Sequence, residues 1–144
     1  MFIDALGLVS DAQAVVASAV STNSIDHGAQ TPVRDIGRGE PVGFGVQVDI
    51  AVSGTSFLIE LIQATDAALT AGIDMLESYS GLAAVFPAAS LHFLAIPPAA
   101  VTKRFMGLRY TVTGGATTVT VTSWFTTKAA FSIAPQMHAK NSAV

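Results

Sequence analysis

Residues 117–127 read TTVTVTSWFTT, and this stretch decides the fold class. One face of an extended chain here carries Val119, Val121 and Phe125, while the other carries threonines and Trp124. A period of two in β-branched and aromatic residues is typical of a β-strand. The stretch therefore predicts a strand with one buried face and one face rich in threonine.

A second strand is predicted directly before this one. Residues 105–113 alternate in the same way, and Gly114 and Gly115 follow them. Glycine adopts the positive φ of a tight turn at no steric cost. Two strands joined by a short Gly-Gly connection predict an antiparallel hairpin. We therefore expect residues 105–113 and 117–127 to pair with each other.

The middle of the chain predicts further strands. In residues 44–52 every second residue, from Phe44 to Val52 and including Ile50, is apolar. Residues 57–63 form a nearly continuous apolar run, which is typical of a strand buried on both faces. The short apolar runs at 82–86 and 91–96 are cut by prolines and indicate strands at sheet ends. Many short strands separated by turn residues predict an all-β fold, an antiparallel β-sandwich of the jelly-roll type.

The ends of the chain differ from the middle. Several valines in residues 11–20 favour an extended N-terminal segment over a helix. Residues 35–43 hold three glycines and a proline and predict a loop. Residues 64–80 fit a helix or a strand, and residues 135–144 are polar enough for a flexible tail. With 144 residues in total, we expect one jelly-roll domain over residues 1–144.

The composition argues against several classes of protein. There is no basic stripe for phosphate contacts and no cysteine for a disulfide or a thiolate site. The first basic residue is Arg34, so the N-terminus lacks the charged start of a secretory signal. Three prolines interrupt the uncharged stretch 81–101, which makes a membrane helix a poor interpretation. We expect a soluble protein, made in the cytoplasm, that binds neither nucleic acid nor a membrane.

The chain is unusually poor in charge. Only 12% of its residues are charged, and 51% are hydrophobic, against about 25% charged in ordinary globular proteins. One interpretation is that part of the surface is buried against another chain. The alternative is a compact domain with a surface rich in Thr, Ser and Ala.

The side chains that carry chemistry are sparse. The histidines at 27, 92 and 138 lie far apart, and none has a second ligand at the short spacing of a metal site. Asp26 with Asp35 or Glu40 is the most plausible carboxylate pair, but such residues more often hold turns. We therefore expect no catalytic residue, no metal and no cofactor, and a protein that is not an enzyme.

Two features suit an interaction surface. Lys103 and Arg104, with Arg109, form the only basic cluster, which either meets an acidic partner or lies as a solvated strand edge. Trp124 lies on the threonine face of its strand. It is either an exposed anchor for a partner or a sugar, or a core residue.

Several pieces of the chain, in order, resemble the capsid cement, or decoration, proteins of short-tailed bacteriophages. The N-terminal pieces are residues 1–4 (MFID), 10–14 (SDAQA), 21–26 (STNSID) and 34–41 (RDIGRGEP). Later, residues 104–105 (RF) and 108–114 (LRYTVTG) resemble the penultimate strand of that family.

The resemblance implies a structural role on the outer surface of the virion. Members of that family are small jelly-roll proteins that bridge neighbouring copies of the major capsid protein, commonly as dimers or trimers. Residues 1–41 would then include an arm that lies along a neighbour. The candidate residues for contact with the capsid or with another copy are Phe2, Ile3, Asp4, Asn23, Asp26, Arg34, Asp35, Lys103, Arg104 and Trp124.

A second functional hypothesis is a carbohydrate-binding jelly-roll module of a phage adhesin. Sugar sites usually expose aromatic side chains for stacking beside amides and carboxylates. This chain has one Trp, two Tyr and two Asn, which is a thin supply. A single-domain hydrolase is a third possibility, and it would depend on Asp26.

Overall fold

A computed structural model of the protein describes residues 7–29 and 39–131. This part of the chain holds nine strands, one 3-10 turn at Ala83–Val85 and a helical turn over residues 128–131. The strands are β1 (Leu8–Val16), β2 (Ser18–Val20), β3 (Ile25–Asp26), β4 (Val42–Ser53), β5 (Ser56–Ala64), β6 (Asp74–Leu82), β7 (Leu91–Ala95), β8 (Phe105–Thr113) and β9 (Thr118–Thr127).

The strands form two antiparallel sheets. The front sheet has the order β1-β9-β4-β7, and the back sheet has the order β2-β8-β5-β6, with β3 also pairing with β8. The pairs β1–β9, β2–β8, β4–β7 and β5–β6 are those of one long hairpin rolled up on itself, which is the jelly-roll topology. The predicted all-β antiparallel sandwich is confirmed.

The predicted hairpin around the two glycines is wrong. β8 belongs to the back sheet and β9 to the front sheet, so the connection crosses from one sheet to the other. Gly114 and Gly115 do adopt positive φ, at 81° and 61°. Each strand is buried between two other partners, β8 between β2 and β5 and β9 between β1 and β4. The prediction of a glycine turn was correct, but the partners of β8 and β9 are determined by the packing of the whole sandwich.

The extended N-terminal segment is confirmed, but it is not an arm where the structure describes it. β1 pairs with β9 from Leu8 to Val16, and β2 and β3 pair with β8. These residues complete the two sheets, so the hypothesis of an arm over residues 1–41 does not hold for residues 8–26. Residues 1–6, 30–38 and 132–144 lie outside the described part of the chain.

The structure also decides the predictions made for residues 64–96. Residues 64–80 are the end of β5, a loop and most of β6, so the helix is not formed. Residues 82–86 are not a separate strand, because β6 ends at Leu82 and the 3-10 turn follows. Residues 91–95 form β7, as the apolar run predicted.

The core fills the space between the two sheets. Phe44, Val46 and Val48 from the front sheet pack opposite Phe57, Ile59 and Leu61 from the back sheet, and all are fully buried. β5 is buried on its outer side as well, because Ile62 and Ala64 pack under Leu69 of the loop that follows. This confirms that residues 57–63 form a strand covered on both faces.

One buried polar cluster joins the two sheets. The Tyr110 hydroxyl on β8 lies 2.9 Å from Ser10 Oγ on β1 and 2.6 Å from Ser123 Oγ on β9. Burial raises the pKa of Tyr110 to about 12, so the hydroxyl is neutral at ordinary pH. Because each buried hydroxyl here is hydrogen-bonded, the cluster links the sheets without leaving an unsatisfied group.

Candidate interaction surfaces

Asp26 and Arg104, two of the predicted contact residues, are brought together by the pairing of β3 with β8. Arg104 Nε and Nη2 donate to the two carboxylate oxygens of Asp26 at 2.8 and 2.7 Å. Asp26 also accepts a hydrogen bond from the backbone N–H of Gly28. The hydrogen bonds from Arg104, and then from Gly28, lower the pKa of Asp26 to about 2. Asp26 therefore anchors β3 through an ion pair, and Asp35, one of the two carboxylates with which the sequence paired it, lies outside the described residues.

The rest of the basic cluster is also paired within the chain. Lys103 Nζ lies 2.6 Å from Asp74 on β6 and donates to the carbonyl of Gly72. Arg109 donates to both carboxylate oxygens of Glu60, at 2.6 and 2.9 Å, and so lowers the pKa of Glu60. The cluster is thus three internal ion pairs across neighbouring elements. Neither alternative from the sequence, an acidic partner or a freely solvated edge, describes it well.

Asn23 holds the turn between β2 and β3 against the edge of the front sheet. Its backbone N–H donates to the carbonyl of Val9 at 2.9 Å. Its side-chain amide reaches the carbonyl of Leu8, and its own carbonyl accepts from Ser21 Oγ. These contacts give Asn23 a structural function, whether or not a partner also touches it.

Trp124 is buried, with 3% of its surface exposed. Its ring lies on the outer face of the front sheet over Gly45, where any Cβ would approach the indole to 2.9 Å. Phe131, from the helical turn after β9, covers it with a ring-centroid distance of 6.4 Å. Of the two alternatives open from the sequence, the structure places Trp124 as a packed residue, because the chain after β9 folds back over it.

The other predicted contact residues lie outside the described part of the chain. Phe2, Ile3 and Asp4 precede it, and Arg34 and Asp35 fall in the internal gap. Their part in an interface stays a prediction.

The sequence did not predict an exposed apolar surface on the front sheet. We name it the front patch and define it as Ala14, Val16, Ile50, Thr118 and Thr120. The pairing aligns Ala14, Thr120 and Ile50 in one row across three strands, with Val16 beside Thr118 in the next. Val16 is 68% and Ile50 64% exposed. The patch spans three strands of one sheet and is bordered by the carboxylate of Asp49, which accepts a hydrogen bond from Thr122 Oγ1.

A β-bulge explains why Ile50 was missed. The alternation from Phe44 to Val52 predicted Ile50 on the buried face, together with Val46 and Val48. In the structure the register shifts between Val48 and Ile50, so that Ile50 pairs with Thr120. The extra residue turns the Ile50 side chain to the outer face. A bulge inside an unbroken apolar alternation leaves no local signal that sequence analysis could use.

A second exposed apolar surface lies along β6 and the 3-10 turn. We name it the β6 edge and define it by its exposed apolar residues, Met75, Tyr79, Leu82 and Val85. β6 is the last strand of the back sheet, so one side of its backbone is unpaired. Tyr79 also contacts the ring of Phe86 edge to face and the ring of His92 at a tilt, with centroid distances of 5.6 and 5.1 Å.

His92 belongs to this aromatic group rather than to a metal site. It is half-buried, and burial lowers its pKa. Its Nε2 lies 3.2 Å from Ser90 Oγ. Across residues 7–29 and 39–131 no group of three or more His, Asp or Glu side chains is arranged to hold a metal ion.

Comparison with known proteins places the chain in a family. No curated protein matches it. In the part of the chain that the structure describes, no helix is long and apolar enough to cross a membrane. The model of the family Bbp16 matches residues 9–125. That span runs from the second residue of β1 to within two residues of the end of β9, so every strand of the jelly roll lies wholly or mostly within it. The chain therefore belongs to the Bbp16 family.

Proposed function

We propose that this protein is a structural cement protein of a bacteriophage head. It binds the outer surface of the capsid, bridges neighbouring major capsid protein subunits and stabilises the expanded shell. It also associates with further copies of itself, as a dimer or a trimer. It works as part of the virion, carries no cofactor and catalyses no reaction.

The front patch is the observation that carries this proposal. Three adjacent strands present Val16 and Ile50 on one outer sheet face, with alanine and threonine between them and the Asp49 carboxylate at the border. Exposed apolar residues on one face are typical of a surface that meets another protein. The face of a sheet suits contact with the broad outer surface of a shell.

The internal ion pairs support the same function. Lys103, Arg104 and Arg109 are all neutralised by carboxylates of the same chain. Contacts with a partner would then depend mainly on apolar burial and hydrogen bonds, which salt screens little. A protein that holds a shell together under changing ionic conditions benefits from such contacts.

The rigidity of the sandwich also suits a bridge. The core and the Tyr110 cluster tie the two sheets together. A rigid body that engages two neighbouring sites binds more tightly than either site alone, because the second contact forms at high effective concentration. Selective binding to the expanded lattice would stabilise that lattice by mass action.

Co-sedimentation with empty shells tests this proposal. Purified protein is mixed with shells of the parent phage before and after expansion. We expect saturable binding to expanded shells alone, at a fixed number of copies per capsid subunit. If the folded protein binds neither form of the shell, the proposal is wrong.

A matched pair of variants tests the front patch. Ile50→Asp places a carboxylate in the middle of the patch, and we expect it to weaken shell binding about tenfold or more, because burying an unpaired charge is costly. Ala68→Asp makes the same change in charge on the exposed loop over the back sheet and should bind like the wild type. Equal binding by both variants would show that the patch does not face the shell.

The carbohydrate-binding alternative has less support, because it depended on an exposed Trp124. Trp124, the residue on which it depended, is covered by Phe131 and cannot stack on a sugar in this structure. A glycan-array signal that Tyr79→Ala removes would revive it, since Tyr79 keeps 39% of its surface exposed.

A further inference from the structure

The two sheets end in edge strands, and most of these are poor templates for pairing. β7 has only five residues and is soon followed by Pro97 and Pro98. β2 and β3 have three and two residues. β1 is interrupted by two register shifts, and Ala12, within the second of them, has a φ of 41°. Short strands, prolines and bulges are the usual means by which proteins prevent edges from pairing with other chains.

β6 lacks these protections over most of its length. It has nine residues, with neither lysine nor proline among them. Its one register shift lies next to Leu76, which leaves the stretch from Glu77 to Leu82 regular. Its exposed side chains are partly apolar (Met75, Tyr79 and Leu82) and partly polar, and Asp74 at its start is already paired with Lys103. The carboxylate of Glu77 accepts a hydrogen bond from the Ser78 N–H at 2.9 Å, and a further strand at this edge would have to displace it.

The backbone direction along β6 can be read from the bond that follows it. Ala83 donates its N–H to the carbonyl of Thr55, on the side of β5. Because backbone groups alternate sides along a strand, the N–H and C=O groups of Ser78, Ser80 and Leu82 point to the open side. A partner strand would form its hydrogen bonds with these three residues.

We propose that β6 pairs with β6 of a second copy, antiparallel, around a twofold axis at Ser80. Such a dimer is closed and uses the same edge of both copies, as is usual for isologous dimers. Ser80 then faces Ser80 of the second copy, and Ser78 faces Leu82 of the second copy. The outward-pointing N–H and C=O groups of the two strands therefore meet one another. The pairing gives a surface to the self-association in the proposed function and is independent of shell binding.

The side chains favour this register over one with the axis at Glu77. With the axis at Ser80, Tyr79 faces Gly81 of the second copy, and an aromatic ring covers a glycine that has no side chain of its own. The two Glu77 carboxylates lie at opposite ends of the paired region, because β6 ends at Leu82. An axis at Glu77 would place the two carboxylates directly opposite each other, which is destabilising.

Cysteine cross-linking tests the axis directly, because the chain has no cysteine of its own. Residues that face each other in a hydrogen-bonded antiparallel pair have Cα atoms about 5.5 Å apart, within the range that a disulfide spans. We expect Ser80→Cys to give a disulfide-linked dimer under mild oxidation. Ser78→Cys, on the same face of the same strand, should cross-link far less. Cross-linking by Ser78→Cys instead would overturn this register.

Sedimentation velocity of the purified protein tests the dimer without any modification. We expect the wild type to be dimeric, with dissociation only on dilution. Ser80→Pro removes an outward N–H without breaking the ladder to β5, and Leu82→Lys places a charge at the edge. Both should be monomeric and folded, while Ala68→Lys stays dimeric. A monomeric wild type, or a dimer that neither edge variant weakens, would overturn the inference. Because no shell is present, this result does not depend on whether the protein binds capsids.

Discussion

Single side chains in this protein stabilise the sandwich mainly by joining elements that are far apart in sequence. Tyr110 hydrogen-bonds to Ser10, a hundred residues earlier, and to Ser123. Arg104 reaches Asp26, which lies 78 residues before it. Among the described residues, the polar side chains that the sequence suggested for contact with partners are thus engaged inside the chain.

Removing the Tyr110 hydroxyl should destabilise the fold. Tyr110→Phe keeps the ring but leaves two buried serine hydroxyls without this partner. We expect the free energy of unfolding to fall by about 1–3 kcal/mol. Tyr79→Phe makes the same change at an exposed ring and should alter stability by less than about 0.5 kcal/mol. Urea unfolding of both variants measures the difference, and equal effects would show that the buried cluster contributes nothing.

The Asp26–Arg104 pair should make stability depend on pH in the acid range. The pKa of Asp26 is lowered from 3.8 to about 2 in the folded protein, so the unfolded state binds a proton first as the pH falls. The stabilisation is therefore complete above about pH 4 and is lost between about pH 4 and pH 2. Asp26→Asn should be less stable than the wild type at neutral pH and should approach it near pH 2.

A double-mutant cycle isolates this pair from the other carboxylates. Urea unfolding of Asp26→Asn, Arg104→Gln and the double variant gives the coupling energy at each pH. We expect a favourable coupling at pH 7 that disappears near pH 2. A coupling energy that stays constant over this range would show that Asp26 does not titrate as described.

Strands in this fold keep their place through close packing on both faces. β4 illustrates this, because its inner face carries the core residues Phe44 and Val46 while Gly45 makes room for Trp124 outside. The bulge after Val48 then changes which face the next side chains occupy. One strand thus contributes to the core, to the seat of Trp124 and to the front patch.

Adding a methyl group at Gly45 should disturb the packing of the Trp124 indole. A Cβ there would lie 2.9 Å from the indole and 3.0 Å from the Phe131 ring. We expect Gly45→Ala to cost about 1–3 kcal/mol of stability through overpacking. Trp124 is the only tryptophan, so acrylamide quenching of its fluorescence should also increase.

Gly81→Ala provides a control for this change on another strand. Its Cβ would meet Phe86 and Val85 at 3.4 Å, an ordinary contact, so stability should change little. If Gly45→Ala is as stable as this control, and acrylamide quenches its tryptophan fluorescence no more than that of the wild type, Trp124 is not packed against Gly45.

At the scale of the whole molecule, the two exposed apolar surfaces lie on different sheets. The front patch belongs to the front sheet, and the β6 edge belongs to the back sheet. A dimer through the β6 edge would therefore leave both front patches free for the shell. Two patches on one rigid dimer are what a bridge between neighbouring capsid subunits needs.

Loss of the dimer should weaken shell binding without abolishing it. Ser80→Pro leaves one intact front patch per molecule but removes the second engaged site. We expect its apparent affinity for expanded shells to fall by about 10²-fold, as is usual when two linked sites become one. Ile50→Asp should instead stay dimeric and lose binding at each site. Co-sedimentation at matched concentrations separates the two effects, and unchanged binding by Ser80→Pro would show that bridging does not depend on the dimer.

The class of this fold and the low charge of the chain can be read from the sequence alone. Alternation in residues 105–113 and 117–127 identified the strands, because the periodicity of a strand is local. The scarcity of charge and the absence of cysteine followed from counting. The resemblance of the N-terminal pieces suggested a phage cement protein, which stays a prediction.

Only the tertiary structure decided how these elements combine. Gly114 and Gly115 join two sheets rather than two paired strands, because the partners of β8 and β9 come from elsewhere in the chain. Ile50 is exposed and Trp124 is covered because of a bulge and of a turn that folds back. The basic cluster is neutralised by carboxylates that are distant in sequence. Such features depend on the simultaneous packing of all strands, and no local pattern of residues records them.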